Sequence, residues 1–305
     1  MSAPVATATR GAIAFTRGRP GALLALLVLS VIAVAAFLAP LIAPQDPFDL
    51  ASFDILDAEL PPAWQEGGEA RFPLGTDAQG RDLLSAILYG ARISLLIGIL
   101  AVLIQAAIGV SLGLLAGYFG GRTDSIVTRL ADIQLALSTL MMAIVAMALV
   151  RAGLGGQALS LFAVPLLVIV IGLAEWPIFA RTARAAVLVE VTKDYVRAAR
   201  AIGDSDWTIL RRHILPNSLS PLIIVATTQV AGAIMAEAAL SFLGLGMPVT
   251  KPSLGTLIRS GYDLMFAGSW WVTVLPGLVL IAVLISINVL GDGLRDWLDP
   301  RRGAR

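Results

Sequence analysis

Three acidic residues, Asp132, Glu175 and Glu237, stand in or beside long uncharged stretches of this chain. An ionisable group inside a membrane is expensive, which makes each a candidate for handling an ion or a polar solute. Each also has a structural reading. Asp132 follows Arg129 by one helical turn, the spacing of a local ion pair. Glu175 lies near the end of its apolar stretch and can reach the interface. Glu237, in Ala236-Glu237-Ala238-Ala239, is the deepest of the three, and either lines an aqueous path or fastens a helix contact. Glu237, Gln229 and Asp132 are the candidate translocation-path residues. Other chemistry has little to work with. There is no Cys and one His, His213, which excludes disulfides, Fe–S clusters and thiolate catalysis and leaves no His-based metal site. No Gly-x4-Gly-Lys-Ser/Thr phosphate loop occurs, so the chain does not hydrolyse ATP by that route.

The elements that carry these residues follow from composition. Of 305 residues 57% are hydrophobic and 14% charged, with mean hydropathy +0.84. A typical soluble domain carries roughly 25% charge, so a polytopic membrane protein is expected and most soluble enzymes are excluded. The net charge of +1 leaves no footprint for a nucleic-acid partner; membrane lipid is the expected surrounding. Six apolar runs are long enough to span: 22–43, 93–116, 126–150, 161–180, 219–240 and 272–290. About 20 residues cross the hydrocarbon core, and only helices satisfy their own backbone there without strand alternation. The fold class is therefore all-α. The first run follows Arg10, Arg17 and Arg19; it exceeds a signal-peptide core and is followed by Pro40 and Pro44, so a retained anchor is expected. Gly109, Gly113 and Gly117 put bare backbone on one face of the second run, which predicts close helix packing.

The charge between runs sets an orientation. With the N-terminal tail (1–21) inside, the inner segments hold 16 Lys and Arg and the outer segments 6. Both termini are expected in the cytoplasm, including the tail 292–305. The segment 44–92, acidic and Pro-rich, is expected outside, ending in a short lead-in helix over 83–93. Residues 93–291 form the five-helix core. Within it, 181–217 is the most informative stretch. It carries seven basic residues and is too long for a simple turn. The run around Tyr195–Ile202 favours a helix, Gly203 breaks it, and Asp204-Ser205-Asp206 supplies a new N-cap. A second helix through 207–215 is expected to stop at Pro216. One reading is a solvated basic connector; the other is a helix–turn–helix that small residues open to another protein.

The spacing Arg197-Ala198-Ala199, three residues, Gly203, nine residues, His213, one residue, Leu215-Pro216 resembles the EAA loop of ABC importer permeases. Its consensus has Glu in place of Arg197 and Ile in place of His213. Pro73-Leu74-Gly75-Thr76-Asp77-Ala78-Gln79-Gly80-Arg81-Asp82 and Tyr89-Gly90-Ala91-Arg92-Ile93-Ser94 resemble the second permease subunit of dipeptide, oligopeptide and nickel importers. So do Glu237-Ala238-Ala239-Leu240-Ser241-Phe242-Leu243-Gly244-Leu245-Gly246 and Gly291-Asp292-Gly293-Leu294-Arg295-Asp296-Trp297-Leu298-Asp299-Pro300. The resemblance implies a type I importer fold of six transmembrane helices in a bacterial or archaeal cytoplasmic membrane. It implies a homologous permease as partner, two cytoplasmic ATPases that bind ATP and Mg, and an external binding protein. No cofactor is implied for this chain. Arg197, Ala198, Ala199, Arg200, Gly203, Asp204, Leu215 and Pro216 would couple it to an ATPase, with Ala198 and Ala199 in close contact and Pro216 at the exit. Asp77, Arg81 and Asp82 would lie near the docked binding protein, although a capped turn explains them equally. The alternatives are a stand-alone secondary transporter using Glu237 or Glu175, and an intramembrane enzyme, for which no nucleophile–base pair or metal cluster is present.

Overall fold

The computed structural model describes residues 20–49, 54–153 and 156–298. The expected tails fall largely outside these residues, which exclude 1–19 and 299–305. Among the described residues the chain is helical, with no strand beyond an isolated antiparallel bridge between Thr76 and Asp82. The long elements are α1 (Pro20–Phe37), α2 (Leu83–Phe119), α3 (Gly121–Ala136), α4 (Thr139–Gly153) and α5 (Gly156–Ala174). They continue with α6 (Trp176–Val191), α7 (Asp194–Ala201), α8 (Leu219–Phe242), α9 (Leu254–Met265) and α10 (Trp271–Leu298). Among the described residues four helices are long and apolar enough to cross a membrane, and up to six spans result if each of two bent pairs counts as one.

α2 is the mast of the bundle. The lead-in helix and the second span expected from sequence are one helix of 37 residues, with Asp82 as N-cap. At 1.5 Å per residue it is about 55 Å long, well beyond a hydrocarbon core of about 30 Å. Its N-terminal end carries the 44–82 loop and its C-terminal end meets the 194–217 segment. No breaker separates the two expected pieces. Gly90 is absorbed by close packing: a Cβ there would lie 3.2 Å from the Leu254 nitrogen.

The glycine stripe meets α6. A Cβ at Gly109 would sit 2.5 Å from the Phe179 Cβ, at Gly113 2.7 Å from the Ala183 Cβ, and at Gly117 2.8 Å from the Val187 Cβ. The added atom at Gly113 would also strike the Ala180 carbonyl oxygen, which belongs to the helix backbone and cannot step aside. Without a hydrophobic drive between helices in lipid, such close contact is what holds them. Gly113→Leu is therefore expected to cost about 2–3 kcal/mol or more by overpacking, read as a lowered thermal midpoint in detergent. Gly277→Ala, where nothing lies within 4 Å, should leave the midpoint unchanged or raised.

Two of the expected spans are not single rods. The run over 126–150 breaks after α3, with Leu137 extended (φ −94°, ψ 141°), and the two pieces meet at 86°. The run over 161–180 breaks at Glu175, and α5 and α6 meet at 45°. Pro177, in the first turn of α6, suits a helix start, where its missing N–H is no loss. The amphipathic helix α9 has no counterpart in the sequence reading; a reciprocal cap between Ser253 and Thr256 opens it.

The buried side chains fall into three cores. One joins α1, the first half of α2, α8, α9 and α10 through residues such as Leu83, Ile234, Leu257 and Val283. The second joins the middle of α2 to α4, α5, α6 and α8 through Ile97, Met147, Leu167 and Phe179. The third is small and lies at the far end of α2. Leu24, Leu27, Val31 and Val34 of α1 are exposed, as a lipid-facing surface requires.

Candidate functional site

The third core belongs to residues 194–217. Val196 and Ala199 of α7 pack on Ile209, Leu210 and Ile214, with Val187 of α6 behind them and Leu114 and Tyr118 of α2 alongside. α7 ends in two tight bonds: the Gly203 amide donates to the Arg200 carbonyl and the Asp204 amide to the Ala199 carbonyl, 3.1 Å each. This helix stop needs a left-handed residue between the two, and Gly203 supplies it at φ +90°. Ser205 is the new N-cap, its hydroxyl accepting from the Thr208 amide at 3.3 Å. The helix it starts, Asp206–Thr208, widens into a π turn over Ile209–Ile214 and continues through Leu215–Asn217.

Pro216 is therefore not the stop that its type suggests. The Leu215 amide bonds to the Leu210 carbonyl, five residues back, and the wider turn makes room for a ring that lacks an N–H. Helical backbone persists through Ser218 into α8. The module is thus rigidly continuous with a membrane-spanning helix.

Polar contacts fix it to its neighbours. The Tyr118 hydroxyl donates to Asp206 at 2.5 Å, and the Arg200 guanidinium lies 5.3 Å from the centre of the Tyr118 ring. The Tyr195 hydroxyl donates to Glu190 at 2.5 Å and accepts from the Asn217 amide at 3.4 Å, which bridges the end of α6 to the start of α8. Burial, with the Glu190 carboxylate beside it, pushes the Tyr195 phenol up to about 12, so it stays a donor. Lys193 pairs with Glu190 at 2.6 Å, and Asp204 lies 3.5 Å from His213. Tyr195→Phe is expected to cost about 1.5–3 kcal/mol, the worth of a hydrogen bond to a charged group, seen as a lower unfolding midpoint with helix content unchanged.

What the module shows to solvent is mixed. Ile202 and Trp207 are 81% and 61% exposed, and Ala198, Ala201, Arg197 and Arg200 share the open surface. Ala199, expected as a contact beside Ala198, is instead in the core, because neighbours on a helix point about 100° apart. Leu215 is half-buried and Pro216 exposed. Arg197 pairs with Asp194 on the surface at 2.7 Å.

The intramembrane groups form two clusters, not one path. Gln229 donates to Glu175 at 2.7 Å and to the Gln105 side chain at 3.3 Å, and Gln105 donates to the Ile171 carbonyl at 3.2 Å. Gln134 donates to the Leu173 and Ala174 carbonyls at 3.1 Å each. A helix leaves its last four carbonyls without partners, and the two glutamines satisfy three of them where α5 stops. Gln105 and Gln134 escaped the sequence reading; an amide in an otherwise apolar run was the available signal. Glu237 is fully buried and lies apart, accepting from Ser94 at 2.7 Å and Ser241 at 2.6 Å. Ser241 in turn accepts from the Met247 amide at 3.1 Å, so this carboxylate fastens α2 to both ends of the turn after α8. Asp132, half-exposed, pairs with Arg181 of α6 rather than with Arg129, and Asp124 pairs with Arg184 at 2.7 Å. Both ion pairs tie α3 to α6.

At the opposite end of α2, Asp77 and Arg81 form a buried ion pair at 2.6 Å, and Arg81 also donates to the Val249 carbonyl at 2.9 Å. Asp82 is buried as the cap of α2, accepting from the Ser85 amide at 2.8 Å. These three side chains are buried and build the loop. Trp271 closes the loop onto α10 by donating to the Thr76 carbonyl at 3.1 Å. Among the described residues no group of three or more His, Cys, Asp or Glu could hold a metal ion.

A bundle with broken spans and a helix–turn–helix module continuous with one span is the fold of type I ABC importer permeases. It aligns with a chain of the inward-facing MetNI methionine ABC transporter (CY5 SeMet soak crystal form) at TM-score 0.55 and 17% identity, covering 70% of this chain and 96% of the other. The native crystal form of that transporter aligns at TM-score 0.53 and 21% identity, with the same coverage. The chain belongs to the family of binding-protein-dependent transport system inner membrane components, whose pattern matches residues 109–303. It is 43% identical over 281 residues to the di/tripeptide transport system permease protein DppC of Pseudomonas aeruginosa (strain UCBPP-PA14), covering 92% of this chain and 88% of that one. The dipeptide transport system permease protein DppC of Haemophilus influenzae is 41% identical, covering 92% and 90%. The glutathione transport system permease protein GsiD of Pectobacterium atrosepticum is 37% identical, covering 90% and 85%. The protein is thus a membrane-embedded permease subunit of an ABC importer, with ATP hydrolysis left to partner subunits. The stand-alone secondary transporter falls with this assignment, and among the described residues the side-chain bonds of Glu237 come from two serines.

Proposed function

We propose that this chain pairs with a homologous permease to carry di- or oligopeptides, or a related small solute, released by an external binding protein. Two cytoplasmic ATPases, which hold ATP and Mg, drive it. Both termini and the 194–217 module face the cytoplasm, and the 44–82 loop faces outward, in keeping with the Lys and Arg bias. The observation that carries the reading is the module's exposed Ala198, Ala201, Ile202 and Trp207, apolar groups left uncovered among the described residues at the tip of a braced lever. ATPase closure would press on this tip. The π turn and the unbroken run into α8 would pass the motion to a span, a two-state movement of a rigid element. The three relatives whose names specify di- or tripeptides, dipeptides and glutathione support a short peptide as cargo. The polar cluster of Gln229, Glu175 and Gln105, at the break between α5 and α6, is the candidate path element.

The test is uptake of a labelled dipeptide by proteoliposomes holding both permeases and both ATPases. Uptake should need ATP and the binding protein together, and an imposed proton gradient alone should drive none. Removing residues 200–207 should end co-purification with the ATPases; full coupling after that removal would overturn the reading.

A further inference from the structure

The turn after α8 and the exposed face of α9 border an open cavity of about 500 Å³. Met247, Pro248 and Val249 form its apolar wall, and Thr256, Arg259 and Asp263 its polar one. A few convergent polar groups in an apolar concavity of this size is the usual make-up of a small-molecule site. Gly244 shapes it: at φ +78° and without a Cβ, it leaves the space that the Arg259 guanidinium fills, since a Cβ there would overlap that group. Arg259 and Asp263 are four residues apart, so they stand on one face of α9 about 6 Å apart at their Cβ atoms. Among the described residues the two are not joined as an ion pair, and both are exposed and line the cavity. The wall is fixed from behind. Val249 accepts from the buried Arg81, and Met247 donates to Ser241 in the Glu237 cluster.

We propose that this cavity is a zwitterion subsite that takes a dipeptide by both ends, the C-terminal carboxylate on Arg259 and the N-terminal ammonium on Asp263. Opposite charges on one wall suit a ligand that carries both, as a free peptide does at its two ends, and the peptide reading above sets the class. Guanidinium–carboxylate pairing is the stronger of the two contacts and fixes direction. Small side chains meet the Met247–Val249 wall, whose lack of polar groups leaves them unselected. The proposal rests on the peptide reading above and deepens it by placing a receiving site on the permease at the end that the 44–82 loop covers.

Saturation-transfer NMR on the four-subunit complex in nanodiscs, without binding protein, tests it. The probes are Ala-Ala, Ala-Ala amide and N-acetyl-Ala-Ala. Ala-Ala should show contact, and each blocked form should bind about tenfold more weakly, the loss of one charge-assisted hydrogen bond. Arg259→Gln should erase the preference for the free carboxylate alone, and Asp263→Asn the preference for the free ammonium alone. A structural role would move neither preference. Equal contact by all three probes, no contact by Ala-Ala, or preferences unchanged in the variants would overturn the site. Uptake of Ala-Ala by the complete wild-type system, measured in parallel, separates the two claims. Uptake with no preference sinks only the subsite, whereas charge-dependent contact without uptake sustains the site and sinks the transport reading.

Discussion

A transporter assembled with Ala198→Glu in this chain is expected to lose ATP-driven uptake by about a hundredfold, the cost of disrupting a central interface contact. Ala198 is exposed at the module's tip, on the face that includes Ala201 and Ile202. A carboxylate there would be buried without a partner when an ATPase groove closes over it. The module itself should stand, because Ala198 contributes nothing to the core of Val196, Ala199, Ile209, Leu210 and Ile214. Purified variant should therefore unfold at the wild-type midpoint while ATPase co-purification and uptake fall together. Arg197→Ala probes the same surface: Arg197 is 71% exposed and its partner Asp194 96% exposed, so their pair is worth little to the fold, and a loss of uptake at an unchanged unfolding midpoint would report lost ATPase contact. If Ala198→Glu transports normally, the exposed tip is not the contact surface.

Arg81→Leu is expected to be the most destabilising single change, costing about 3–5 kcal/mol, as breaking a buried ion pair does. Asp77 and Arg81 are each 1% exposed. One Asp77 oxygen keeps the Gln79 amide at 2.8 Å, but the other depends on the guanidinium alone among the described contacts. Removing Arg81 strands that charge and also frees the Val249 carbonyl. Thermal unfolding should show the drop, and the double variant Asp77→Asn, Arg81→Leu should recover part of it. A strictly additive double variant would show that the two side chains do not act as a unit.

How far the sequence reached depended on the range of the interaction. The apolar runs, the glycine stripe and the Gly203 stop were legible because each is local: a periodicity, a bare face, a residue that alone tolerates φ +90°. The acids were harder. Asp132 sits at ideal spacing from Arg129 and yet pairs with Arg181, because the α3–α6 crossing brings the guanidinium in from another helix. Pro216 reads as a stop and is not one, because the π turn before it removes the clash. The motif residues Asp77, Arg81 and Asp82 read equally as a place near a docked partner or as a capped turn, and their burial and mutual bonds show that they build such a turn.

By itself, the sequence determined an all-helical membrane chain, the positions of its apolar runs, and a small helix–Gly–helix module set among basic residues. Those follow from hydropathy, charge and backbone preference, which act over a few residues and survive without neighbours. Only the tertiary structure decided that two spans break, at 86° and 45°, that two glutamines cap the broken helix, and that Ala198 faces out while Ala199 faces in. It also decided that Arg259 and Asp263 open onto one cavity. Each of these depends on where distant segments meet, and an unsatisfied carbonyl or charge takes whichever partner the packing brings within reach.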